Sequence, residues 1–110
     1  MSDKKSPDGY CVILTTCGKK EEAEKLACSL IENHLAACVQ VAGVISFYEW
    51  EKKVNKDEEL LLLIKAKNSL YKRIEAFICQ NHSYEIPEII ALPIRDGLEN
   101  YFKWMDDVSM

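Results

Sequence analysis

Apolar residues along this chain follow two periods, and the switches between them lay out the elements. Tyr10 to Cys17 (YCVILTTC) is apolar on both faces through its middle, as a strand covered on two sides would be, and Gly18 breaks it. From Lys19 to His34 the period changes. Ala23, Leu26, Ala27, Leu30 and Ile31 recur at the spacing of one buried helical stripe. Glu21, Glu22 and Glu24 lie toward its N-terminal end and His34 at its C-terminal end, an arrangement that suits a helix dipole. Val39 to Trp50, rich in β-branched and aromatic residues, and Leu60 to Lys67, an almost unbroken apolar run, read as the arms of a long hairpin. The turn signal between them is Val54, Asn55, Lys56 and Asp57. A second helix, capped by Asn68 or Ser69, carries Leu70, Ile74, Phe77 and Ile78 and ends at Asn81 and His82. Ser83 to Pro87 leads into a fourth strand, Glu88 to Ile94. Pro93 cannot donate to a ladder there, so that strand belongs at an edge. Asp96 and Gly97 turn the chain, and Leu98, Tyr101, Phe102, Met105 and Val108 mark a closing helix bordered by Trp104.

The order β-α-β-β-α-β with a terminal helix predicts an α+β, ferredoxin-like arrangement. Right-handed crossovers then lay the two internal helices on one face of a four-stranded sheet. The strands are apolar on both sides, and two helices cover only one. In the hairpin's second arm Leu60, Leu62 and Ile64 point one way and Leu61 and Leu63 the other. The leftover face predicts an oligomer that packs sheet faces together, with the hairpin arms reaching neighbouring copies.

Composition narrows the function without choosing it. At 110 residues, 48% hydrophobic and 29% charged, the chain fits one domain over residues 10–110, with residues 1–9 expected to fray. A net charge of -4 argues against nucleic acid or an anionic membrane as the main partner. No stretch approaches the roughly 18 apolar residues of a membrane span, and the N-terminus has no signal-peptide core. The five cysteines (Cys11, Cys17, Cys28, Cys38 and Cys79) include no C-x-x-C pair; most lie in apolar patterns, as small buried hydrophobes of a reducing cytosol would.

Chemistry concentrates in His82-Ser83-Tyr84-Glu85-Ile86-Pro87-Glu88, where an imidazole, a phenol and carboxylates stand beside a turn. This set suits a divalent-metal or acid–base group, or a helix end with packed and solvated neighbours. Cys17, at the end of the first strand, is a soft ligand that would serve with it. His34 is explained by the helix dipole, and the stripe Phe47, Tyr48 and Trp50 by a binding wall or a subunit interface. Proton transfer by Tyr84, Glu88 and His82 is the enzymatic reading; no nucleophile elbow, P-loop, dinucleotide fingerprint or H-E-x-x-H motif accompanies it.

Taken together, Leu35-Ala36-Ala37-Cys38-Val39, Ser46-Phe47-Tyr48-Glu49-Trp50-Glu51-Lys52, Glu59, Lys65, His82 to Ile89, Tyr101 and Trp104 resemble the CutA family of divalent-cation-tolerance proteins over nearly the whole of Tyr10 to Asp107. The resemblance implies a ferredoxin-like homotrimer with hairpins paired across subunits. It further implies binding of Cu(II) or another divalent cation, no organic cofactor and no established catalysis. In the bacterial pattern the proposed copper ligands are a first-strand cysteine and two consecutive histidines. Here those positions hold Thr15, Asn81 and His82, leaving His82 as anchor, with Cys17, two residues along the strand on the same face, standing in for the cysteine that Thr15 replaces. The family's likeness to trimeric nitrogen-regulatory proteins implies an intersubunit cleft around Tyr48, Trp50, Glu59, Lys65, Tyr84, Glu88, Tyr101 and Trp104. A sensor or assembly module that holds a metabolite or protein partner there, with metal incidental, is the alternative function.

Overall fold

The computed structural model describes residues 9–110. The frayed segment expected over residues 1–9 therefore lies, apart from Gly9, outside the described residues. The elements are β1 (Tyr10–Cys17), α1 (Lys20–Glu32), β2 (Cys38–Trp50), β3 (Lys53–Lys67), α2 (Tyr71–Asn81), β4 (Ile90–Ile94) and α3 (Glu99–Val108). One four-stranded sheet has the order β2-β3-β1-β4, and every neighbouring pair is antiparallel. This is the ferredoxin-like α+β arrangement that the element order predicts. β4 is an edge strand, and its Pro93 stands opposite Cys11 of β1.

The strand period of two divides the sheet cleanly. Cys11, Ile13, Cys17, Leu62, Ile64 and Ala66 point to one face and form the main core with Ala23, Leu26 and Leu30 of α1 and Ile74 and Ile78 of α2. Ile13, Leu30, Leu62, Ile64, Ile74 and Ile78 have no exposed surface. On the opposite face the terminal helix covers more than two-helix bookkeeping allows. Phe102 of α3 stacks on Tyr10 of β1 with ring centroids 4.2 Å apart and 8° between planes. The Tyr10 hydroxyl donates to the Asp106 carboxylate at 3.1 Å. Gly97 makes this fit possible, since a Cβ there would stand 2.6 Å from the Phe102 ring. Beyond α3 the face is open: Ile90 and Leu92 of β4 are 47% and 50% exposed.

The hairpin differs from its prediction at the tip. Val54 to Asp57 do not turn the chain but lie within β3. The turn is Glu51-Lys52, both in the left-handed region at φ 53° and 67°. Two consecutive positive φ values are those of a two-residue type I′ turn, whose twist matches the strands it joins. Asn55, which reads as a turn residue, instead braces the loop from inside the strand. Its Nδ2 donates to the Trp50 and Lys53 carbonyls at 3.3 and 3.2 Å. The arms are 13 and 15 residues long, and they stretch the molecule to 54 × 25 × 21 Å.

Smaller differences follow local physics. α1 stops at Glu32, and His34 takes the left-handed φ of 57° just beyond it, a position that accepts such a backbone at a helix end. A 3₁₀ turn, Asn68–Leu70, leads into α2 in place of a side-chain cap. Of the cysteines, Cys11 and Cys17 are buried, Cys38 is half-buried, and Cys28 and Cys79 are exposed on the outer faces of their helices. Among the described residues no helix is long and apolar enough to cross a membrane.

Candidate functional site

The topology decides what meets at the end of β1. β1 runs toward α1, and β4 runs antiparallel beside it, so the connector from α2 into β4 must pass the C-terminal end of β1. His82 is the first residue after α2, with extended backbone that swings its ring inward, and its side chain has no exposed surface. Nδ1 accepts from the Tyr84 backbone N–H at 3.0 Å. The proton therefore sits on Nε2, which donates to the Thr16 carbonyl at 2.6 Å. Both ring nitrogens of this neutral imidazole are thus in use.

Cys17 Sγ lies 3.9 Å from His82 Nε2. Glu22, in the first turn of α1, brings Oε2 to 3.7 Å from Nδ1. The same carboxylate accepts from the Ser83 backbone N–H at 2.7 Å and from Ser83 Oγ at 3.0 Å, fastening the connector to α1. One donor atom each from Cys17, Glu22 and His82 falls within 4.8 Å of the others. A sulfur, a carboxylate oxygen and an imidazole nitrogen so close suit a borderline-soft divalent cation such as zinc or copper. Burial first, then the Glu22 and Glu59 carboxylates, pushes the Cys17 thiol up to about 11, so an ion must displace a proton to gain the thiolate.

The other two positions of the bacterial copper pattern behave differently. Thr15 is fully buried and its Oγ1 finds no hydrogen-bond partner among the described residues. Asn81 is exposed and folds back on its own helix, donating to the Phe77 carbonyl at 2.8 Å. Glu22 is the residue that pattern reading missed. Its place in the first turn of α1 is explained well enough by the helix dipole, and only the β-α-β-β-α-β topology puts that turn beside His82.

The residues expected around a cleft fall into two groups. Tyr48, Trp50, Glu59, Tyr84 and Glu88 line one cavity of about 740 Å³ between the hairpin and the connector. Tyr84 reaches across the end of β1, where its hydroxyl donates to Glu59 at 2.7 Å and would stand 3.1 Å from any Cβ at Gly18. Burial, then the bond to Glu59, raises the Tyr84 phenol above its usual range. Tyr48 is also raised, chiefly by its hydrogen bond to Asp57. Lys65, Tyr101 and Trp104 gather elsewhere: the Lys65 ammonium is 5.8 Å from the Tyr101 ring centre, which is 5.5 Å from that of Trp104. Glu59 and Lys65 share a face of β3 but lie about 20 Å apart along it, at roughly 3.3 Å per residue.

Comparison with known proteins points one way. The family description "CutA1 divalent ion tolerance protein" matches residues 11–108. The chain is 43% identical over 95 residues to the chloroplastic protein CutA of Arabidopsis thaliana, covering 86% of this chain and 52% of that one. It is 39% identical over 95 residues to the divalent-cation tolerance protein CutA of Thermus thermophilus, covering 86% and 92%. The crystal structure of CutA1 from Oryza sativa superposes with a TM-score of 0.94 at 38% identity, covering 98% of each chain. This chain spans between 52% and 59% of the length of its plant and mammalian relatives.

Proposed function

This chain belongs to the CutA1 family of divalent ion tolerance proteins, and on that premise we propose that it is a non-catalytic, cytoplasmic homotrimer that binds a divalent cation, Cu(II) among the candidates. The ion would be held by Cys17, Glu22 and His82. The observation that carries this reading is the convergence of three unlike donor atoms, from β1, α1 and the α2–β4 connector, within 4.8 Å. When bound, the ion supplies charge that the thiolate and carboxylate neutralise; His82 must release either Thr16 or Tyr84 to join them.

Two features support assembly. Ile90 and Leu92 stand half exposed on an apolar sheet face. The two groups of cleft residues, too far apart on one copy, can line one cleft only if neighbouring copies contribute to it. Sedimentation should give a single species at three times the chain mass.

Calorimetric titration of Cu(II) and Zn(II) tests the site. Cys17→Ser and His82→Ala should each weaken binding by at least about tenfold. Titrations of wild type and both variants that coincide would remove the site. A second reading, in which the clefts hold a small metabolite and metal is incidental, is favoured by one observation: the 740 Å³ cavity is lined by none of Cys17, Glu22 and His82.

A further inference from the structure

The buried imidazole of His82 ties three parts of the chain together. Nε2–H donates to the Thr16 carbonyl at the end of β1, and Nδ1 accepts from the Tyr84 N–H at 3.0 Å. The second bond fixes Tyr84 beside the histidine, with ring centroids 4.8 Å apart. From there the phenol passes over Gly18, which has no Cβ to obstruct it, and donates to Glu59 at 2.7 Å. Glu59 is the first residue of β3 outside its ladder with β1, whose last pair is Cys17 and Leu60. It stands opposite Val44 of β2 and so marks the root of the outer hairpin. A backbone amide, a ring contact and a hydroxyl therefore run in series from His82 to that root. All of them lie within one chain, so none depends on what a neighbouring copy covers.

A neutral imidazole divides one proton and one lone pair between its two nitrogens. Here the lone pair is on Nδ1 and serves Tyr84. Coordination through Nδ1 consumes that lone pair directly. Coordination through Nε2, the nitrogen 3.9 Å from Cys17 Sγ, displaces the proton there, and a ring that stays neutral carries its proton on Nδ1 instead. Nδ1–H and the Tyr84 N–H then face each other as two donors. The Glu22 carboxylate, 3.7 Å from Nδ1, is the acceptor within reach, as a carboxylate often is for the far nitrogen of a ligating histidine. The two routes differ at Thr16 and converge at Tyr84: through either nitrogen, the Tyr84 amide loses its acceptor. We propose that ion binding at His82 releases the Tyr84 backbone and slackens the Tyr84–Glu59 tie, so that occupancy of the buried site is reported at the root of the hairpin. The proposal rests on the divalent-cation reading of Cys17, Glu22 and His82 and adds the response of the protein to the ion. A ligand shifts a conformational equilibrium only by binding its states unequally, and the exchange of roles at Nδ1 supplies that inequality.

The test is amide-resolved hydrogen–deuterium exchange by NMR on the assembled, full chain, with and without Zn(II), a diamagnetic probe of the site. Sedimentation run alongside keeps the assembly the same in both arms, so protection lent by neighbouring copies is common to them. Saturating Zn(II) should speed exchange of the Tyr84 amide by roughly tenfold or more, and that of the root amides from Gly43 to Ile45 and from Glu58 to Leu60 by a smaller factor. Tyr84→Phe keeps the amide and deletes the hydroxyl. In that variant Zn(II) should still free the amide of residue 84, while the root, already untied, no longer responds. Zn(II) that binds by calorimetry yet leaves the Tyr84 amide protected would overturn the proposal and leave the metal site standing. No binding of Zn(II) or Cu(II) at all would overturn both. A freed Tyr84 amide with an unchanged root, or a root that responds equally in Tyr84→Phe, would also overturn the proposal, because the link to the hairpin would be missing.

Discussion

The cluster at Cys17, Glu22 and His82 and the cavity beside it share one connector but are built on opposite terms. In the cluster both ring nitrogens of His82 have backbone partners, Glu22 is held by Ser83, and the imidazole is sealed from solvent. In the cavity, Trp50 stands well over half exposed on a single copy. A group whose hydrogen bonds are complete contributes to the fold before any ligand arrives. A group left in solvent contributes only when something covers it. The same distinction separates mutations that unfold from mutations that merely disarm.

The largest effect should come from His82→Ala. It strands the Thr16 carbonyl and the Tyr84 N–H and opens a void, so urea unfolding should show a loss of about 2 to 4 kcal/mol. A loss below about 1 kcal/mol would mean that the connector stands without its histidine and that the cluster is no more structural than the cavity. Next is the pH response of Cys17, which is buried and raised from 9.0 to about 11. The unfolded thiol ionises first, so this group's contribution is complete below pH 9 and is lost as pH rises from 9 toward 11. The fall should reach roughly 1 to 3 kcal/mol, should shrink without vanishing in Cys17→Ser because burial raises Cys11 as well, and is measured by denaturation at pH 8 and 10.5. On the hairpin side, Lys52→Gly should stabilise by about 1 kcal/mol, because glycine adopts the left-handed turn without steric cost. Trp50→Ala should be smallest for the fold of a single copy, within about 0.5 kcal/mol by urea unfolding of dissociated chains.

The sheet was legible because its information is repeated. Every strand carries apolar residues on both faces, Pro93 marks the edge, and the helical stripes of α1 and α2 are unambiguous. The turn was not. Asn55 and Asp57 have turn chemistry, whereas Glu51 and Lys52 have none; the strand twist imposes their positive φ. Cys28 and Cys79 also misled, since membership of an apolar neighbourhood does not say which side of a helix a residue takes. Within the candidate site, Cys17 and His82 could be paired because Cys17 closes β1 and His82 follows α2, and the topology brings both to one end of the sheet. Glu22 could not be read from spacing, as only the passage of the connector past the start of α1 gives it a neighbour. The split of Lys65, Tyr101 and Trp104 from the other cleft residues is a matter of distance along β3, which no motif records.

The 13- and 15-residue arms have a consequence for motion. Beyond Gly43 and Leu60, β3 no longer pairs with β1, so the outer half of the ribbon is held by its own ladder and, at its base, by the Tyr84–Glu59 hydrogen bond. Amide protons from Val44 to Glu59 should therefore exchange with deuterium through small openings in a lone copy, well ahead of those in β1. A neighbour clasping the ribbon would slow them, so the exchange rate of this outer half doubles as a gauge of how many copies are in contact.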